Sequence, residues 1–259
     1  DAARRRQAQL AKPPGSLGKL EDISIRLAGI TGHIDNEVEK TRIYVLAADN
    51  GVVAEGVSSA PQSVTRQQAV NLTRGVTGAS TIARRFGDEL VVVDVGIAED
   101  YTCPQIVNRR IARGTKNIAK EPAMTVQQAL TALDTGMTLA AQAKRDGVQA
   151  LGVGEMGIGN TTTSAAVLMA LTGCAVEDAV GRGGGVTDEA FARKRAVVAG
   201  ALARLHPDAG DAVDVLAKVG GFDLAAMAGV FLGAAESRLP VVIDGFISVV
   251  AALCAVRLC

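Results

Sequence analysis

The sequence predicts an α/β protein: a doubly wound, mostly parallel, Rossmann-like sheet with helices on both faces, plus a small helical lobe that takes in the N-terminal segment. Three observations predict it. Short β-branched runs alternate with alanine-rich stretches whose apolar residues recur at helical spacing. Four of the runs end in a carboxylate with glycine at once or nearly so beside it. The chain has 259 residues, 48% of them hydrophobic, which is ample for one large core.

In chain order, LAKPPGSLGKLEDISIRLAGITG places a Pro-Pro-Gly-Ser turn before an amphipathic segment that has no strand of its own. It assigns residues 1–35 to the small helical lobe, with a flexible N-terminal arm as the alternative, and leaves 36–259 as the large α/β substrate-binding domain. The strand IYVLAADNG spans 43–51, and helical patterns over 62–86, in two pieces, lead to VVVDVG at 91–96. A helix over 125–146 precedes the run that ends in GVGEMG. Helices over 161–172, 188–205, 210–218 and 223–238 follow, then VVIDG at 241–245 and a last helix over 246–258. The apolar stretch from Val241 to Leu258 is long enough to raise a membrane span. Asp244 and Arg257 inside it, and its strand-turn-helix pattern, favour a buried βα unit instead.

Charge and cysteine content narrow the function classes. Lys plus Arg equals Asp plus Glu at 27 each, so no bulk field draws nucleic acid or an anionic membrane, and a small-molecule ligand is expected. Cys103, Cys174, Cys254 and Cys259 form no CxxC pair, and His33 stands far from His206, so no metal site follows. Scattered thiols without a signal peptide point to the reducing cytoplasm.

The most informative stretch is LGVGEMGIGNTTTSAA, where a strand breaks at a glycine-rich turn holding Glu155 and resumes as a helix. Gly154, Gly157 and Gly159 let backbone approach a ligand, and Asn160 to Thr163 offer capping groups beside the helix's positive end. Such a turn is a candidate phosphate cradle; glycine there for packing alone is the other reading. It is neither a P-loop nor a dinucleotide GxGxxG turn. A second cluster, GRGGG at 181–185, leads into a helix with Thr187 and Asp188 at its cap and Lys194 about two turns inside; it is either a second anion site or a flexible turn beside a solvated basic helix face. Because the ends of parallel strands lie along one edge, Asp49, Asp94, Glu155 and Asp244 are expected to converge there, where such sheets bind ligands. Each acid taken singly reads equally well as a helix cap or an ion-pair partner.

Six segments in order, KPPGSLGKLE, AADNGVVAEGVSSAPQSVT, NRRIARGTKNIAKEPAMT, GVGEMGIGNTTTSAA, GRGGGVTDEAFARK and VIDGFIS, resemble the nicotinate-nucleotide:dimethylbenzimidazole phosphoribosyltransferases of cobalamin biosynthesis. The resemblance runs from about residue 10 to the last residue. It implies transfer of ribose 5-phosphate from nicotinate mononucleotide to 5,6-dimethylbenzimidazole, giving α-ribazole 5′-phosphate and nicotinate, with no cofactor and no metal, in a cytoplasmic homodimer. It further implies Glu155, Lys194 and Asp244 as active-site residues, with Lys194 paired to Asp244. Gly157, Gly159, Asn160, Thr161 and Gly183 would hold the nucleotide and its phosphate. Gln68 and Asp49 would stand at the base pocket, Gln68 reading also as an ordinary polar helix residue.

The chain departs from the family pattern in three places. Asn50 stands where many relatives have His, and GRGGG stands where GRGTG is common; both leave the backbone role intact. The family's proposed catalytic glutamate, which follows a Ser-His motif, lies beyond the point where this sequence stops, so the C-terminal part of the family fold is expected to be missing from it. The reading favoured is part of a longer enzyme. The alternatives are a catalytically impaired nucleotide- or benzimidazole-binding module and, more remotely, an unrelated Rossmann-type dehydrogenase, disfavoured for want of the GxGxxG turn.

Overall fold

The computed structural model describes residues 1–259. Two helices open the chain, α1 (Ala2–Gln9) and α2 (Lys19–Thr31), with no buried residue in either. They touch through the Gln7 amide, which donates to Ser24 Oγ at 2.5 Å. Strand β1 (Thr41–Ala48) follows, then a single 3-10 turn (Gly51–Glu55) and helices α3 (Val64–Thr73) and α4 (Gly78–Phe86). Next come β2 (Glu89–Gly96), the two-residue β3 (Val107–Asn108), α5 (Val126–Arg145) and β4 (Ala150–Met156). The remainder is α6 (Asn160–Thr172), α7 (Val176–Ala179), α8 (Asp188–Leu205), α9 (Ala212–Val219), α10 (Phe222–Glu236), β5 (Val241–Val242) and α11 (Gly245–Leu258).

The local chemistry explains several boundaries. Thr125 caps α5 by accepting from the Gln128 N–H while Gln128 returns the bond to the cap, a reciprocal box. Thr187 accepts from the Ala190 N–H at the start of α8. The expected strand at 241–245 is two residues long, because Ile243 and Asp244 already form the lead-in to α11, with Asp244 at its N-cap. The sequence does not foreshadow β3: two residues carry no alternation for a pattern to detect. No helix is long and apolar enough to cross a membrane, so Val241 to Leu258 is a short strand and a helix packed on α10.

The sheet is five-stranded in the order β3-β2-β1-β4-β5, and every pairing is parallel. This is the doubly wound arrangement the sequence predicts. Its switch point lies between β1 and β4, the neighbours from which the chain winds off in opposite directions. Alternate residues of β1 serve two cores. Tyr44, Leu46 and Ala48 join the larger cluster with α10 and α5, whereas Val45 and Ala47 join a smaller one with Ala69 and Leu72 of α3.

Helix α10 is the hub of the larger layer, apolar on all sides and pressed on α5, β1, β4 and α11. Its closeness to α5 depends on absent side chains: a Cβ on Gly229 would lie 2.0 Å from the Leu133 carbonyl oxygen. On the opposite face, α3 and α4 cover β1 and β2, but Ile43, Gly152, Gly154 and Met156 border a cleft of roughly 600 Å³ that runs up to the carboxyl ends of β1 and β4.

Candidate functional site

The carboxyl ends of β2, β1, β4 and β5 carry Asp94, Asp49, Glu155 and Asp244, so the four acids do stand along one edge of the sheet. They are not four free carboxylates. Asp94 is 1% exposed and saturated: Oδ1 accepts from the Gly96 and Ile97 N–H groups, and Oδ2 accepts from the Tyr101 hydroxyl and from Arg110 Nε and Nη2 at 3.0 and 2.9 Å. It binds a loop to the sheet.

Asp49, expected at the base pocket, is buried and does not line the cleft. Its Oδ2 accepts from the Ala98 N–H at 2.8 Å, and its main chain bonds Gly96 and Thr115, so it splices the end of β1 to the segment after β2. The physical reason is direction: the residue just past the strand turns its side chain between two loops instead of into the opening. Burial pushes its carboxyl above the usual range.

Glu155 does face the cleft, together with Gln68 of α3 and Asp244 at the cap of α11. Around them the wall is apolar, formed by Ile43, Val45, Leu72, Val153, Met156 and Val242. Thr41, Thr77 and Asp88 also line the cleft, but its apolar middle with Glu155, Gln68 and Asp244 at the strand ends suits a flat aromatic ligand with a polar edge. Gln68 is half-buried and accepts a long hydrogen bond from the Asn71 amide. Asp244 is exposed, its N–H donating to Ser248 Oγ at 3.0 Å.

The expected Lys194–Asp244 pair is not made. Lys194 lies in α8 and is 1% exposed; its Nζ donates to Thr161 Oγ1 at 2.8 Å and to the Gly181 carbonyl at 3.1 Å. No carboxylate balances it, and burial lowers its ammonium pKa to about 8. The reason is topology: α8 packs on α6 and the 3-10 turn, while Asp244 stands on the far side of β4 at the sheet edge. The two glycine clusters therefore meet at Lys194. At Gly183, whose φ is +57°, a Cβ would lie 3.1 Å from Thr161 Oγ1 and 3.4 Å from Lys194 Nζ. The start of α6 completes the group, since no side chain caps its N-terminus.

The turn between β4 and α6 is shaped from within. A Cβ on Gly157 would lie 2.3 Å from the Ala48 carbonyl and 2.7 Å from Asp223 Oδ2, and Gly159, at φ +92°, rests on Asn50 and Val52. Both glycines thus serve close packing of the turn on the end of β1. Gly154 differs; nothing lies within 4 Å of its would-be Cβ, which leaves the cleft wall flat.

Glu155 is held by the Asn160 amide, which donates to its Oε2 in a short contact. Burial, then the nearby charge of Asp223, raise its carboxyl to about 7. Asp223 itself is 0% exposed in the first turn of α10, and burial raises it to about 6. It accepts from the Leu224 N–H at 2.9 Å and from Asn50 Nδ2 at 3.5 Å, while Asn50 Oδ1 accepts from the Thr163 hydroxyl at 3.1 Å. Sequence reasoning missed Asp223; the available signal was a single acid in the otherwise apolar run FDLAAMAGVFLGAA. No cluster of three or more His, Cys, Asp or Glu side chains is arranged to hold a metal ion.

Known proteins resemble this chain over its whole length. A family model described as phosphoribosyltransferase matches residues 1–259. The chain is 53% identical over 256 residues to the nicotinate-nucleotide–dimethylbenzimidazole phosphoribosyltransferase of Clostridium perfringens (strain 13 / Type A), covering 99% of the chain and 71% of that relative. The enzyme of the same name from Acetivibrio thermocellus is 50% identical over 258 residues, covering 100% of the chain and 74% of the relative. Among solved structures, CobT from Thermus thermophilus superposes with a TM-score of 0.94 at 45% identity, covering 99% of this chain and 77% of that one.

Proposed function

The chain belongs to the phosphoribosyltransferase family of nicotinate-nucleotide–dimethylbenzimidazole phosphoribosyltransferases, and from that premise we infer what its site does. It is a pentosyltransferase of cobalamin biosynthesis that moves ribose 5-phosphate from nicotinate mononucleotide to 5,6-dimethylbenzimidazole. The products are α-ribazole 5′-phosphate and nicotinate. In this reaction the C–N bond to the pyridinium breaks with its electron pair returning to the ring nitrogen, an azole nitrogen bonds to the anomeric carbon from the opposite face, and the azole N–H proton is released.

One observation carries the assignment of parts: a buried ammonium with no counter-ion stands against the uncapped start of a helix, next to an apolar cleft that ends in a carboxyl group. Lys194, Thr161 and Gly183, with the Thr161 N–H in the first turn of α6, provide the positive end for the phosphate. Gly157, Gly159 and Asn160 fix that turn against the ribose side. The benzimidazole lies in the cleft against Ile43, Val45 and Met156, within reach of Gln68. Glu155 faces the reacting centre, where a carboxyl that titrates near neutrality can accept a proton or, ionised, steady positive charge on the sugar. Asp244 borders the same opening and supplies a second negative charge at its rim.

We further propose that residues 1–35 belong to a small helical lobe and that the protein works as a cytoplasmic homodimer. Four free cysteines support a reducing compartment, and the exposed Leu20, Ile23 and Ile30 of α2 support a partner surface. Incubating the protein with nicotinate mononucleotide and dimethylbenzimidazole tests the central reading: free nicotinate and an α-linked nucleotide are expected in equal amounts, and their joint absence overturns it.

A further inference from the structure

Helix α10 is apolar on every side, yet it buries a carboxyl group completely in its first turn. Such a group is costly unless it is paired or does something. No cation reaches Asp223. The elements around α10 offer it only Glu155 as a close charged neighbour, from β4. From β1, Tyr44 is neutral and bonded to the Leu139 carbonyl, Arg42 is paired with Glu89 and Asp146 at the opposite end of the strand, and Asp49 beyond the strand is bonded to the Ala98 N–H. On β2, Asp94 is taken up by Arg110 and Tyr101. Helix α6 has no titratable side chain; α5 keeps Asp134, Lys144 and Arg145 exposed. On α11, Asp244 is exposed, Cys254 is a neutral thiol, and Arg257 donates to the Leu171 carbonyl.

The pocket around Asp223 is nevertheless closely built. A Cβ on Gly221 would lie 2.3 Å from its Oδ1 and one on Gly157 would lie 2.7 Å from its Oδ2, so both flanking backbones are shaped to this carboxyl. Asn50, itself 0% exposed and fixed by Thr163, turns its amide toward it. Asn160, which holds Glu155, belongs to the same turn: its N–H donates to the carbonyl of Gly157, the glycine packed on Asp223.

We propose that Asp223 is a positioning residue of the transfer reaction: packed under the Gly157–Asn160 turn whose Asn160 amide holds Glu155, it fixes that side chain at the cleft and governs its charge. Two carboxyls this close in a buried setting do not both ionise near neutrality. The donors decide which one keeps the charge. Asp223 has the Leu224 N–H, the Asn50 amide and the positive end of α10, whereas Glu155 has Asn160 alone. Asp223 therefore holds the negative charge, and Glu155 holds a proton that it exchanges around neutral pH. The cleft gains an acid-base group in the working range through an acid that never touches substrate.

This proposal rests on the reading that Glu155 serves the transfer, so its test has one arm that needs no turnover. The protonated-carboxyl infrared band lost in Glu155→Gln identifies Glu155; in the wild-type protein it is expected to titrate with a midpoint near neutrality. In Asp223→Asn, which keeps shape and removes charge, the midpoint is expected to fall by about one pH unit or more, and the pH dependence of kcat to move with it. An unchanged midpoint in a folded Asp223→Asn protein overturns the proposal, because a merely structural role lowers stability without moving that titration. If Asp223→Asn does not fold, the wild-type band decides alone: absence of a protonated Glu155 between pH 6 and 7 overturns it. A protein that shows the shift but forms no α-linked nucleotide keeps the coupled pair and sinks the transfer reading instead.

Discussion

The Lys194 ammonium meets the Thr161 hydroxyl at 2.8 Å, and through that bond helix α8 presents an unbalanced positive charge to the first turn of α6. A charge buried without a counter-ion weakens the empty protein and strengthens a complex with an anion.

Lys194→Met is accordingly expected to separate binding from stability. The nucleotide Kd rises tenfold or more, since a hydrogen bond to a charged group contributes about 1.5–3 kcal/mol, while stability in urea stays level or rises by about 1 kcal/mol. The pH dependence agrees in sign. The folded-state pKa is lowered from 10.5 to about 8, so above pH 8 the unfolded chain binds more protons, and stability attributable to this group increases from pH 8 to 10.5. Denaturant titrations at pH 7.5 and 9.5 on both proteins check it.

Glu155→Gln is expected to lower kcat by about a hundredfold and to change nucleotide affinity by less than about threefold, as a group acting in the transition state does. Its stability signature has the opposite sense from the lysine's. The folded pKa is raised from 4.5 to about 7, so the folded protein binds the extra proton in that window and wild-type stability falls as pH climbs through it. The fall attributable to Glu155 is on the order of 2 kcal/mol after allowing for water in the cleft; in the variant this part is gone. Equal losses in kcat and affinity would make Glu155 a binding residue only.

Arg110→Ala removes the partner of a buried carboxylate without touching the cleft. It is expected to destabilise by about 3 kcal/mol or more, read as a lowered urea midpoint, with kcat and KM of the folded protein kept within about twofold. A large change in kcat would bring the Asp94 network into the catalytic machinery.

The sequence disclosed the fold to within a few residues because the helices are long and periodic and the strands are β-branched runs. The same logic found Glu155 at the cleft, since a glycine-rich turn at a strand end is a local feature, but it did not show that Lys194 meets Thr161 and Gly183. It failed where partners lie far apart in the chain. Asn50 and Asp223 are 173 residues apart, and no local pattern marks their meeting. The Lys194–Asp244 pair failed for the complementary reason: two charges of opposite sign invite pairing on paper, whereas strand order puts β4 between them. Asp49 and Asp94 look alike in sequence to Glu155, each a carboxylate at a strand end, and only the loops packed over them show that they hold structure together.

The strand order has a consequence for how this site comes into being. Asn50 leaves the β1 side of the switch point, Thr163 follows it at a separation of 113 residues, just past β4, and Asp223 arrives later still from α10. No early subset of the chain holds the set together, and closing loops of that size is slow relative to forming helices. The Asn50–Thr163–Asp223 support beneath Glu155 is therefore expected to form only after β1, β4 and α10 have docked, later in refolding than the regain of helix.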